Sequence, residues 1–141
     1  MCLPIQWTSD ALSSRHQHRF DFVRNPQGKV TERIRKVGES QVCTSIIVAA
    51  ELRDGAERKA SPKLSSQLEA ALGALEVLPL KTPADIAYAK LRTTLERADT
   101  PIGANDLLIA AQGLALEYIV VTDNDKEFTR VQNLRCENWL R

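Results

Sequence analysis

At 141 residues, 43% of them hydrophobic and 26% charged, the chain has the size and composition of one globular domain and not of a disordered or multidomain protein. No apolar run approaches the roughly 20 residues that a bilayer span needs, and Met1 to Asp10 lacks the basic-then-apolar pattern of a secretory leader. A formal net charge of +1 excludes a globally cationic nucleic-acid binder, so any RNA contact has to come from local patches.

Met1 to Phe20 shows neither strand alternation nor helical period, and His16, Gln17 and His18 fall where an α/β domain should have its first strand. The chain therefore divides into an aberrant segment, residues 1–20, and a domain over residues 21–141. From Lys29 onward helix and strand signals alternate, as a parallel sheet requires. Val30, Ile34 and Val37 recur at helical spacing among basic residues until Gly38 stops the helix. This basic stretch, Lys29 to Lys36, is read as a packed helix with a solvated face before it is read as an RNA contact. Gln41 to Thr44 reads as a short strand, and Thr44 or Ser45 can cap a helix running towards Arg58. Leu64, Leu68, Leu72 and Leu75 form the stripe of the next helix. Glu76 to Leu80 is a brief strand that Pro79 consigns to an edge. Thr82 as cap and Pro83 at the first helical position start another helix, with Ala84, Ala87, Tyr88, Leu91 and Leu95 inward. Asn105 is placed to cap a helix that has Asp106 in its first turn and ends near Glu117. Tyr118 to Val121 is a buried strand, and Phe128, Val131, Leu134 and Trp139 are packing contacts of the tail. Cys2, Cys43 and Cys136 are scattered and in no CxxC spacing, so they read as reduced thiols of a cytoplasmic protein.

Three acids stand where convergence on a hard cation is plausible: Glu51 in the helix after an early strand, Asp106 opening another helix, and Asp123 just beyond the Tyr118–Val121 strand. Open parallel sheets place ligands beyond such carboxyl ends. Each acid has an ordinary explanation too. Asp106 alone is best read as complementing a helix macrodipole, worth about 0.3–1 kcal/mol. Asp123 and Asp125 could be turn acids, and Asp125 is read as one. Glu51 follows the apolar run Ile46 to Ala50, which favours a buried or cleft-facing position. His16 and His18 could ligate a transition metal, but no third ligand of matching type accompanies them and the pair is set aside. No Walker loop, nucleophile elbow or zinc motif is present.

The surrounding words carry more than any single acid. Glu51-Leu52-Arg53-Asp54-Gly55-Ala56-Glu57, Thr100-Pro101-Ile102-Gly103-Ala104-Asn105-Asp106-Leu107-Leu108-Ile109-Ala110-Ala111, Val120-Val121-Thr122-Asp123-Asn124, Glu127-Phe128 and Glu137-Asn138-Trp139 closely resemble the PIN-domain toxins of VapC type, in the same order, from about Asp21 to the C-terminus. The resemblance implies a three-layer α/β/α domain with a mostly parallel central sheet. It also implies a Mg2+-dependent endoribonuclease (Mn2+ being the alternative ion), the toxin half of a toxin–antitoxin pair. Such toxins are commonly dimeric and held inactive by a VapB-type antitoxin. Carried over residue by residue, Asp106, Glu51 and Asp123 match the catalytic and metal-binding acids, with Asn105 and Thr122 as supporting polar neighbours.

Two departures stand out. Asp54 replaces an aromatic residue of the family. More seriously, such toxins begin with an apolar strand ending in Asp-Thr-Asn, whose aspartate is a main metal ligand, whereas this chain has Arg15-His16-Gln17-His18 at the matching place. Arg15 to Arg19 can be encoded CGA-CAC-CAA-CAT-CGN, and the same bases read one nucleotide forward give GAC-ACC-AAC-ATC, Asp-Thr-Asn-Ile. The hypothesis is that residues before about Asp21 are read out of frame. Two functions then compete: a metal-dependent ribonuclease, and a non-catalytic protein that keeps antitoxin or dimer contacts after losing the first-strand aspartate. A lost first strand would also leave a sheet edge unpaired.

Overall fold

The computed structural model describes residues 5–7, 29–122 and 125–138. Five short strands make one parallel sheet: β1 (Ile5–Trp7), β2 (Val42–Ser45), β3 (Glu76–Leu78), β4 (Ile119–Val121) and β5 (Cys136–Glu137), in the order β3-β2-β1-β4-β5. The helices between them are α1 (Lys29–Val37), α2 (Ile46–Lys59), α3 (Pro62–Ala74), α4 (Ala84–Arg97), α5 (Ala104–Leu116) and the single turn α6 (Asp125–Phe128). The result is the expected three-layer α/β/α architecture of PIN type.

The first strand is a correction to the sequence reading. It is present, it comes from Ile5–Trp7 within the segment set apart as aberrant, and it lies in the middle of the sheet. Ile5 pairs with Val42 on one side and Ile119 on the other, and Trp7 with Thr44 and Val121. No edge is left open there. Three residues are too few to display a period, and Ile5-Gln6-Trp7 lacks the continuous apolar run that revealed β4, so the strand escaped detection. His16 and His18 lie outside the described residues, as do Cys2, Asp123, Asn124 and Trp139.

Most helices form where the apolar period placed them. Ile34 is the buried anchor of α1, whose Glu32, Arg33, Arg35 and Lys36 face solvent. Gly38 ends it at φ +103, a conformation that L side chains rarely adopt, and its N–H closes on the Ile34 carbonyl at 2.8 Å. Ser45 ends β2 and caps α2, its Oγ accepting from the Ile47 N–H at 3.1 Å. Leu64, Leu68 and Leu72 bury the stripe of α3, with Leu75 half-buried beyond its end. β3 is the sheet edge that Pro79 announced.

Two caps differ from expectation. At α4 the cap position is Pro83, after a cis Thr82–Pro83 bond, so neither Thr82 caps nor Pro83 opens the helix. At α5 the cap position is Gly103, and Asn105 is an exposed residue one position inside the helix. A core of Val48, Leu52, Ile109, Val120, Val121 and Phe128, each at most 1% exposed, joins α2, α5, β4 and α6. Gln112 of α5 is equally buried and donates from Nε2 to the Pro79 carbonyl at 3.1 Å, tying α5 to the chain leaving the edge strand. β5, two residues long, was read from sequence only as a packed tail.

Candidate active site

The strand order locates the crevice. From β1 the chain winds one way through β2 and β3, then returns across the sheet to β4 and β5 on the other side of β1. Crossovers that leave in opposite directions open a gap above the carboxyl ends of β1 and β4, and open parallel sheets bind their ligands there.

Two helices deliver acids to that end. The chain passes from Ser45 directly into α2, so α2 starts at the carboxyl end of β2, and Glu51 lies about 7.5 Å along its axis. α5 is placed by its far end. It ends at Leu116, reverses through Glu117 in the left-handed conformation (φ 58), and feeds β4 at Ile119. Its thirteen residues span about 20 Å, which returns its first turn, with Asp106, to the carboxyl end. The two helices pack against each other. Glu51 is 7% exposed and Asp106 3%, and charged groups are buried this deeply only when something compensates them. The Glu51 oxygen Oε1 is sealed from water, and no hydrogen bond reaches that one atom from the described residues.

Polar groups complete the rim. Thr122 follows β4, is 1% exposed, and donates its backbone N–H to the Glu137 carbonyl at 3.0 Å, continuing the β4–β5 ladder past the last strand residue. Thr44 and Ser45 are buried on β2, on the other side of β1. Asp123, the third predicted acid, lies outside the described residues, and among the described residues no group of three His, Cys, Asp or Glu side chains is gathered for a metal. Two buried carboxylates suit Mg2+, which takes one or two protein carboxylates and fills its remaining positions with water and phosphate. The donor set present therefore fits that ion and not a soft or imidazole-seeking metal.

The residue that sequence reasoning left without a role is Glu127 of α6. Its Oε1 accepts the Gly103 N–H at 3.2 Å, and Arg130 donates from Nη1 to the Pro101 carbonyl at 2.9 Å, so the turn before α5 is gripped from the segment after β4. Both bonds join residues more than 20 positions apart, and no local signal announces them. A groove of about 620 Å3 between α4 and α5, lined by Ile86, Leu91, Leu114 and Ala115, contains none of the candidate acids. Burial also pushes the Cys43 thiol up to about 12, with Glu76 adding to it, so this cysteine is no nucleophile at neutral pH. Among the described residues no helix is long and apolar enough to cross a membrane.

Comparison with known proteins places this arrangement. The PIN domain family model matches residues 21–134. The ribonuclease VapC2 of Rickettsia felis is 40% identical over 99 residues, covering 70% of this chain and 74% of that protein. The tRNA(fMet)-specific endonuclease VapC of Salmonella typhimurium is 34% identical over 118 residues, 83% of this chain and 89% of the relative. Among solved structures, the VapBC2 complex of Rickettsia felis bound to a promoter DNA fragment superimposes with a TM-score of 0.81 at 31% identity, covering 97% of this chain and 99% of that one. DNA-bound VapBC of Salmonella typhimurium gives 0.80 at 31% identity, with 97% and 98% covered. The chain belongs to the PIN-domain family, as a nuclease of the VapC type.

Proposed function

We propose that the protein is a Mg2+-dependent endoribonuclease, the toxin of a VapBC-type pair, which hydrolyses RNA phosphodiester bonds and is restrained by a VapB-type antitoxin. The observation that carries this reading is the burial of Glu51 and Asp106, from two separate helices, at the carboxyl end of the sheet beside its switch point. Its support among relatives is the VapC ribonucleases and the tRNA endonuclease, and the similar solved structures, which are VapBC complexes. A homodimer is part of the same proposal.

Asp106 and Glu51 would hold the ion, and Asp123 would help by hydrogen-bonding water or holding a second ion. An ion held there would supply Lewis-acid chemistry, lowering the pKa of water and offsetting charge on the leaving oxygen. The chain's own contribution is to keep the two carboxylates dry and rigid. Thr122 braces the end of β4, and Asn105, exposed on the first turn of α5, meets the phosphate backbone at the mouth. Purified protein should cleave RNA with Mg2+, stop with EDTA, and lose cleavage as Asp106→Asn. Metal-independent cleavage, or full activity in that variant, overturns the proposal.

A second reading has its own observation. The central strand β1, Ile5-Gln6-Trp7, carries no carboxylate, and Arg15-His16-Gln17-His18, matched above to the family's Asp-Thr-Asn, carries none either. On this reading the chain binds its antitoxin and a second copy but cleaves poorly. The out-of-frame hypothesis for residues before about Asp21 belongs here. Other codons than those given above at Arg15 to His18 would remove it. Cleavage that arises only after the shifted frame is restored would establish the impaired reading, and cleavage by the unaltered chain would remove it.

A further inference from the structure

The start of α5 is capped from outside the helix. Its cap position, Gly103, has no side chain to offer, and the Gly103 N–H is one of the donors a helix start leaves unsatisfied. In a capping box the acceptor for that N–H is the side chain three residues on, and here that residue is Asp106. The structure gives the bond to Glu127 instead, 24 residues away, at 3.2 Å. Glu127 is itself fixed. Phe128 beside it is 1% exposed and Val131 3%, and Arg130 holds the Pro101 carbonyl at 2.9 Å. A buried anchor and two hydrogen bonds thus clamp the Pro101–Gly103 turn from the α6 segment.

We propose that Glu127 is a positioning residue for Asp106: by taking the Gly103 N–H, it keeps the Asp106 carboxylate from closing back onto that N–H and so holds it in the orientation in which it would meet a divalent cation. This rests on the reading of Asp106 as a metal ligand given above. It requires an acceptor at the Glu127 position, and it does not require a charge there.

The test is Mn2+ titration of the full chain by calorimetry, beside thermal unfolding without metal. Asp106→Asn should abolish binding. Glu127→Ala should weaken binding about 10-fold or more, the usual effect of losing a residue that orients a ligand. Its metal-free melting temperature should change little, because Asp106 closes the capping box in its place. Glu127→Gln keeps an acceptor oxygen and should bind within about twofold of the unaltered chain. Should Glu127→Ala not fold, Glu127→Asp, one methylene too short to reach, replaces it with the same expectation. If the unaltered chain binds Mn2+ and Asp106→Asn does not, yet Glu127→Ala binds normally, this proposal fails and the metal reading stands. Equal losses in Glu127→Ala and Glu127→Gln would assign the effect to charge and also overturn it. No binding by the unaltered chain removes both proposals together.

Discussion

Replacing Ser45 by alanine removes one hydrogen bond, and the structure says how much that bond is worth. The Ser45 hydroxyl accepts the Ile47 N–H at 3.1 Å, and the residue is 0% exposed, at the junction of β2 and α2. Ser61 makes the equivalent bond at α3, accepting the Leu64 N–H at 3.2 Å, on a half-buried corner where water can take its place. A lost cap ordinarily costs about 1 kcal/mol, and a buried donor left without a partner costs about 1–3 kcal/mol. Ser61→Ala should therefore destabilise by about 0.5–1 kcal/mol and Ser45→Ala by about 2 kcal/mol. For a domain of this size each kcal/mol lowers the melting temperature by about 3–5 °C. Thermal unfolding of both variants, with urea midpoints as a second measure, reads the difference. Equal losses, or a larger one at Ser61, would refute the desolvation argument and with it the claim that the β2–α2 junction is sealed.

Three further outcomes follow from the same structure. The Cys43 thiol, raised to about 12 from 9.0 chiefly by burial, stays protonated in the folded protein, so it contributes stability that is present below about pH 9 and lost as pH rises towards 12. Iodoacetamide at pH 8 should modify half-buried Cys136 well before Cys43, and equal rates in folded protein would contradict the burial. Leu52→Ala, at 0% exposure beside Glu51, should cost about 2–5 kcal/mol in chemical denaturation. A cost below 1 kcal/mol would show that α2 is not seated in the core. Gln6→Pro should interrupt the central strand, which pairs on both sides, and destabilise the domain by about 2–4 kcal/mol or prevent its folding. An undisturbed melting curve would remove β1 from the middle of the sheet.

The helices were legible because burial on one face writes a period into the chain. Leu64, Leu68 and Leu72 are spaced for that reason, and Ile34 anchors α1 for the same one. Pro79 marked the edge strand by ending it: β3 stops at Leu78, before the residue that has no N–H to continue a ladder. Ser45 was a readable cap, whereas Thr82 and Asn105 were not caps at all. A capping residue type is permitted at many positions, and the chain's path into the helix decides which one is used. β1 and β5 were the blind spot: at three and two residues they carry no alternation, and neither has the all-apolar run that gave β4 away.

Sequence by itself determined α1 to α5 and the strands β2 to β4, the family motifs, and the acids fit for a hard dication, since these depend on residue type and local spacing. Tertiary structure alone decided that Ile5–Trp7 fills the centre of the sheet, that the switch point falls between β1 and β4, and that Glu51 and Asp106 are both buried at that end. It also decided that Glu127 takes a hydrogen bond a capping box assigns to Asp106. Each of these joins residues far apart along the chain, and a pairing of that kind is fixed by packing and strand register, which local spacing does not encode.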